Sequence, residues 1–170
     1  MKKLLLSSLM LAAGIFAASA AEATIDFSQQ GWSNESEITA IGDSGISVAF
    51  AKGEGKSAPK YYTSGTAVRM YSGNTMTLAV PQGTTVTSIA MKLSSQTYNF
   101  ADDNTGYSAS TGTFTADPKT AKTGAWTGTA TEDLVLSLVN KQNTAKKWPQ
   151  LRIVSMTVTY TAGVETKCAT

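Results

Sequence analysis

From residue 46 onward, apolar and polar positions alternate in short runs. Ile46, Val48 and Phe50 share one parity, as do Val68 and Met70, and Met76, Leu78 and Val80. The pattern returns at Ile89, Met91 and Leu93, at Leu134, Leu136 and Leu138, and at Val154, Met156, Val158 and Tyr160. Side chains of an extended strand point alternately to its two faces, so period two marks strands buried on one side. The runs are separated by turn-forming stretches: Gly42-Asp43-Ser44-Gly45, Ser72-Gly73-Asn74, Pro81-Gln82-Gly83 and Asp102-Asp103-Asn104-Thr105-Gly106. Short strands at this spacing predict an all-β fold, a two-sheet antiparallel β-sandwich that is jelly-roll-like. Val80-Pro81-Gln82-Gly83-Thr84 fits a type II or similar turn between two alternating strands, which predicts a hairpin over residues 75–94. Leu151 to Tyr160 is the clearest single strand, and no helical period follows residue 20. Composition agrees, because 25 threonines suit a pleated, half-buried surface.

The N-terminus departs from this pattern. Met1-Lys2-Lys3 precedes an apolar run from Leu4 to Ala17, followed by Ala18-Ser19-Ala20. A positive start, an apolar core and small residues before a cleavage point make a signal peptide over residues 1–20. The run is too short for a helix to cross roughly 30 Å of hydrocarbon, so no membrane span is expected after cleavage. The protein is expected to be secreted, whether extracellular, at the cell surface or periplasmic. Residues 21–161 form the sandwich domain and 162–170 a polar, aperiodic tail.

Export changes the charge. Of 14 basic and 12 acidic residues, Lys2 and Lys3 leave with the signal peptide, so the mature domain is formally neutral. That balance gives no general attraction to nucleic acid, and none is expected as a partner. The chain has no histidine and one cysteine, Cys168. A Ser-His-Asp triad, a Cys-His pair and zinc sites built on imidazole or paired thiolates are thereby excluded, as is a disulfide within the chain.

The remaining chemistry is aromatic, cationic and carboxylic. Arg69 and Arg152 are the two arginines. Each carries a rigid fork of donors suited to sugar hydroxyls or a carboxylate, or to tying loops together. Arg69 and Tyr71 lie opposite the apolar parity of Val68 and Met70, whereas Arg152 shares the parity of Val154. Tyr61, Tyr62, Trp32, Trp126 and Trp148 are candidates for stacking on sugar rings. Trp126, in Gly124-Ala125-Trp126-Thr127-Gly128, reads as structural, and Trp148, after Lys146 and Lys147, as exposed. Tyr61 is read as pointing away from the loop after Pro59, with Tyr62 packed beneath it. Lys52, Lys56 and Lys60 are interrupted by Gly53, Gly55 and Pro59 and do not share a helical face. Asp26, Asp43, Asp102, Asp103, Glu132 and Asp133 are the candidate acids for a two-carboxylate glycosidase. The 102–106 stretch offers oxygen ligands for calcium but lacks the spacing of an EF-hand loop. It reads as an Asx-rich turn, and no cofactor is expected.

Ile25-Asp26-Phe27, Gly45 to Phe50, Ala58 to Tyr62, Ala67 to Thr75, Ala125 to Gly128, Leu151 to Ile153 and Val158 to Tyr160 together suggest a family. Over nearly the whole mature chain, the sequence resembles small secreted β-sandwich accessory modules of exported, multi-domain proteins of gut bacteria. The resemblance implies a jelly-roll-like domain with no catalytic residues, one that accompanies other activities as carbohydrate-binding modules do. The expectation is a secreted, non-catalytic module that recognises glycan or a surface ligand through loops and one sheet face. The expected contacts are Lys60, Tyr61, Arg69, Tyr71 and Trp148. Two alternatives stay open: a structural or adhesion module packed on another protein, and a small carbohydrate-active enzyme using paired carboxylates.

Overall fold

A computed structural model describes residues 19–94, 106–117, 120–142 and 148–162. Most of the signal peptide, nearly all of the tail, and Asp102, Asp103, Asn104 and Thr105 lie outside the described residues, as do Lys146 and Lys147.

Among the described residues, twelve strands form two antiparallel sheets. The strands are β1 (Ala20–Asp26), β2 (Ala40–Asp43), β3 (Ile46–Ala51), β4 (Lys60–Tyr62), β5 (Ala67–Tyr71) and β6 (Thr75–Ala79). They continue as β7 (Thr84–Leu93), β8 (Tyr107–Ala109), β9 (Thr113–Asp117), β10 (Thr123–Ala130), β11 (Leu134–Leu138) and β12 (Gln150–Ala162). The larger sheet runs β4-β5-β12-β7-β10-β9, with β1 also paired to β12; the smaller runs β2-β3-β6-β11-β8. The expected all-β sandwich is what forms. Its helical content among the described residues is one 3-10 turn, Phe27–Gln29, capped by Asp26, whose Oδ1 accepts from the Ser28 N–H at 2.8 Å.

The alternating sets face one another across the core. Ile46, Val48, Met76, Leu78, Leu134, Leu136 and Leu138 come from the smaller sheet; Val68, Met70, Ile89, Met91, Trp126, Met156 and Val158 come from the larger. Edge-to-face rings tie the layers: Tyr107 on β8 meets Phe114 on β9 at 5.2 Å between centroids, and Phe27 meets Phe50 at 5.6 Å.

Two expectations about register are corrected. Residues 75–94 do not form a hairpin, because β6 pairs with β3 and β11 while β7 pairs with β12 and β10. The turn itself is present: the Thr84 N–H donates to the Pro81 carbonyl at 2.9 Å, with Gly83 at φ +78°. Both flanking strands have a buried face, and joining opposite sheets lets each bury it in the common core. The second correction concerns Arg152. Ile153 pairs with Leu93 and Ser155 with Lys92, so Val154 is an extra residue in a β-bulge. The bulge reverses parity, so Leu151 and Ile153 face the core before it and Met156 and Val158 after it. Arg152 therefore lies on the opposite side of the sheet from the core residues, in register with Arg69.

Strand β12, 13 residues long, is the axis of the larger sheet. One of its edges pairs with β7; the other is shared, with β5 along Gln150–Ile153 and β1 along Ser155–Thr161.

Candidate functional site

On the outer face of the larger sheet, β4, β5 and β12 place cations and phenols side by side. Lys60 pairs with Arg69, and Arg69 with Arg152. Two residues on from Arg69, on the same side, Tyr71 pairs with Gln150, while Tyr62 stands opposite Ala67, two residues from Arg69 in the other direction. The Tyr62 ring lies under the Arg69 guanidinium, with Cζ 3.6 Å from the ring centroid; the Tyr71 ring is 6.0 Å away. The two phenol oxygens share a hydrogen bond of 2.8 Å. Arg69 Nε is buried without a hydrogen-bond partner. On its other side Arg152, only 6% exposed, reaches Gln150 Oε1 at 3.4 Å.

Burial, then the hydrogen bond and the charge of Tyr62, push the Tyr71 phenol up to about 12, while Arg69 pulls it down. The neutral phenol is thus the form favoured by folding. Its stabilisation is complete below the ordinary value near 10 and is lost as pH rises toward about 12. In an ultraviolet titration Tyr71 is expected to ionise late. Tyr62→Phe should bring that step down and an Arg69→Gln change should raise it; no movement in either would break the proposed link.

Tyr71 also lines a cleft of about 180 Å³ with Lys56, Ser57, Ser72, Asn140 and Trp148. Trp148 is 44% exposed, and Lys56 Nζ sits 5.1 Å from the centre of its ring. The cleft and the Arg69 face are therefore contiguous through Tyr71.

The turn between β5 and β6 holds the cleft together. Asn74, fully buried, accepts from the Tyr71 N–H through Oδ1 at 2.7 Å. Its Nδ2 donates to the Lys52 carbonyl at 2.9 Å and the Ser57 carbonyl at 2.8 Å. The loop from β3 to β4 is thereby tied to the turn. Ser72 Oγ reaches the Val139 carbonyl at 2.8 Å, and the Ser72 N–H donates to the Pro149 carbonyl at 3.1 Å. Close approach needs glycine here: a Cβ on Gly73, already at φ +86°, would stand 2.5 Å from Gly55 N.

Of the five expected contacts, Lys60, Arg69 and Tyr71 share this face, and Trp148 adjoins it through the cleft. Tyr61 does not. It is 4% exposed, faces the core and meets Trp32 edge-on at 5.5 Å. The expected roles of the two tyrosines are reversed, since Lys60 and Tyr62 take the outer parity of β4. Tyr62, Arg152 and Lys56 are members that the sequence reading left out of the contacts. Register through Arg69 would have found Tyr62; Arg152 was hidden by the bulge.

Trp126 is fully buried, as its glycine-flanked sequence suggests, and its Nε1 donates to the Thr111 carbonyl at 2.7 Å. Among the acids, Asp26 caps the 3-10 turn and Asp133 Oδ1 accepts from the Val80 N–H at 3.1 Å. Among the described residues no three acids or cysteines cluster as metal ligands, and no helix is long and apolar enough to cross a membrane. Searches by family model, by curated sequence and by solved structure find no match to this chain.

Proposed function

We propose that this protein is a secreted, non-catalytic binding module that recognises a saccharide across the Arg69 face and the Trp148 cleft. The observation that carries the reading is the position of Tyr71, which belongs to both. Its ring flanks the fixed guanidinium and its side chain lines the cleft beneath Trp148. Sugar recognition needs flat apolar faces for C–H surfaces and fixed polar groups for hydroxyls. Trp148 supplies the first, while Arg69, Tyr62, Tyr71 and Asn140 supply the second.

The packing-module alternative is less favoured, because among the described residues the exposed large apolar side chains are Val139 and Trp148. Two residues do not make the broad apolar patch of a protein interface. The enzyme alternative loses support from Asp26 and Asp133, both occupied in holding backbone N–H groups.

A glycan array followed by calorimetry tests the reading. Trp148→Ala is expected to weaken saccharide binding roughly tenfold, a loss of ~1.4 kcal/mol, with an unchanged melting temperature. Full affinity in that variant would remove the cleft from the site, and failure to bind any polysaccharide would remove the function.

A further inference from the structure

The cation row on the outer sheet face bears on the charge of the ligand. Lys60, Arg69 and Arg152 occupy directly opposed positions on three neighbouring strands. Like charges so placed destabilise a sheet. The chain brings its two arginines together at this point and adds a lysine.

Arg69 is the centre of the row. Stacking on Tyr62 fixes its plane, its Nε is buried without a partner, and no carboxylate among the described residues pairs with it. Glu37, exposed, stands beyond Lys60 at the rim of the row through an isolated bridge. A guanidinium held flat and flanked by cations is complementary to an oxyanion supplied from outside, which it can grip with two parallel hydrogen bonds.

We propose that this row binds an oxyanion carried on a saccharide, a uronate carboxylate or a sulfate ester, with the sugar ring directed along Tyr71 toward Trp148. The inference rests on the saccharide reading above and adds the class of sugar. A polyphosphate is the poorer partner. Nucleic acid is held by many phosphate contacts along a basic track, whereas here twelve bases balance twelve acids in residues 21–170 and the cations meet at one row.

The test is titration of the protein with polygalacturonate, the same polymer with its carboxyls reduced to alcohols, dextran sulfate, unmodified dextran and oligo-dT. The expected result is binding to at least one acidic polysaccharide that falls with added salt and is at least about tenfold tighter than to its neutral counterpart. Arg69→Gln and Arg69→Lys should each remove most of that preference, the second because lysine keeps the charge and loses the fork. Should both Arg69 variants fail to fold, Lys60→Gln at the rim gives the same readout. Preference for polygalacturonate assigns a carboxylate and preference for dextran sulfate a sulfate. Equal binding to acidic and neutral polymers, lost in Trp148→Ala, would overturn this inference and leave the saccharide reading standing. Oligo-dT binding as tight as the acidic polysaccharide would also overturn it. Binding to none of the polymers would overturn it together with the saccharide reading.

Discussion

Replacing Trp126 by alanine is expected to cost about 3–5 kcal/mol, the range for removing a fully buried large aromatic. The indole fills the space between β10 and its partners Ile89 on β7 and Phe114 on β9. Its surroundings are shaped to it. A Cβ on Gly112 would lie 2.8 Å from Nε1, and one on Gly128 2.8 Å from Cζ2. Neither glycine has a side chain that could swing into the cavity, so the void would persist. The change also leaves the Thr111 carbonyl without its donor. Against a typical total of about 5–15 kcal/mol, much of the domain's stability is at stake. Chemical denaturation gives the number, and Trp126→Phe separates its parts by restoring bulk without the N–H. A loss below about 1 kcal/mol in the alanine variant would mean that the cavity collapses, contrary to the packing described.

Asn74→Ala should cost about 2–4 kcal/mol, from three hydrogen bonds lost at roughly 1 kcal/mol each and from backbone groups left unpaired. The lost partners are the Tyr71 N–H and the carbonyls of Lys52 and Ser57. No other side chain meets the same need. Aspartate could accept from Tyr71 but has no donor for either carbonyl and would bring a charge into a fully buried site. Asn74→Asp is therefore expected to be at least as damaging. The effect should extend beyond stability, because Lys56 and Ser57 line the cleft and their loop is tied down by this side chain. Hydrogen exchange at the Gly55 N–H, which donates to the Lys52 carbonyl at 3.0 Å, should rise in the alanine variant, and the proposed saccharide binding should weaken with it. Unchanged exchange at Gly55 would show that the loop is held by other means.

Much of the fold was legible because burial on one face imposes period two, and these strands obey it. Ile46, Val48 and Phe50 are all buried, as are Ile89, Met91 and Leu93, and Leu134, Leu136 and Leu138. What period two cannot show is which strand sits beside which. The turn Pro81–Thr84 was readable, yet whether it joins partners in one sheet or crosses between two depends on contacts with distant strands. Nor can it show an inserted residue. Val154 looked like the start of an apolar set and is instead the bulge that moves Arg152 to the outer face. The site was partly legible for the same reason: Arg69 and Tyr71 follow from the strand parity of β5. Tyr61 and Tyr62 were exchanged because β4 has three residues, too few for alternation to declare its own phase. Asn74 looked like a turn residue, and its bonds to a loop some twenty residues earlier leave no local signature.

The long strand β12 has a consequence for the order in which this protein can assemble. It is the last of the described strands in chain order, and β1, β5 and β7 all pair with it. Among the described strands, until it arrives β1 has no neighbour in its sheet and β5 has only β4. Closing β1 onto β12 joins positions such as Ala23 and Val158, separated by nearly the whole domain, and pairings of such high contact order make folding slow. Arg69 likewise meets Arg152 only in that final step. A nascent or truncated chain would expose open strand edges without an assembled Arg69 face, so the proposed saccharide recognition should be acquired late and all at once, as a property of the completed sheet.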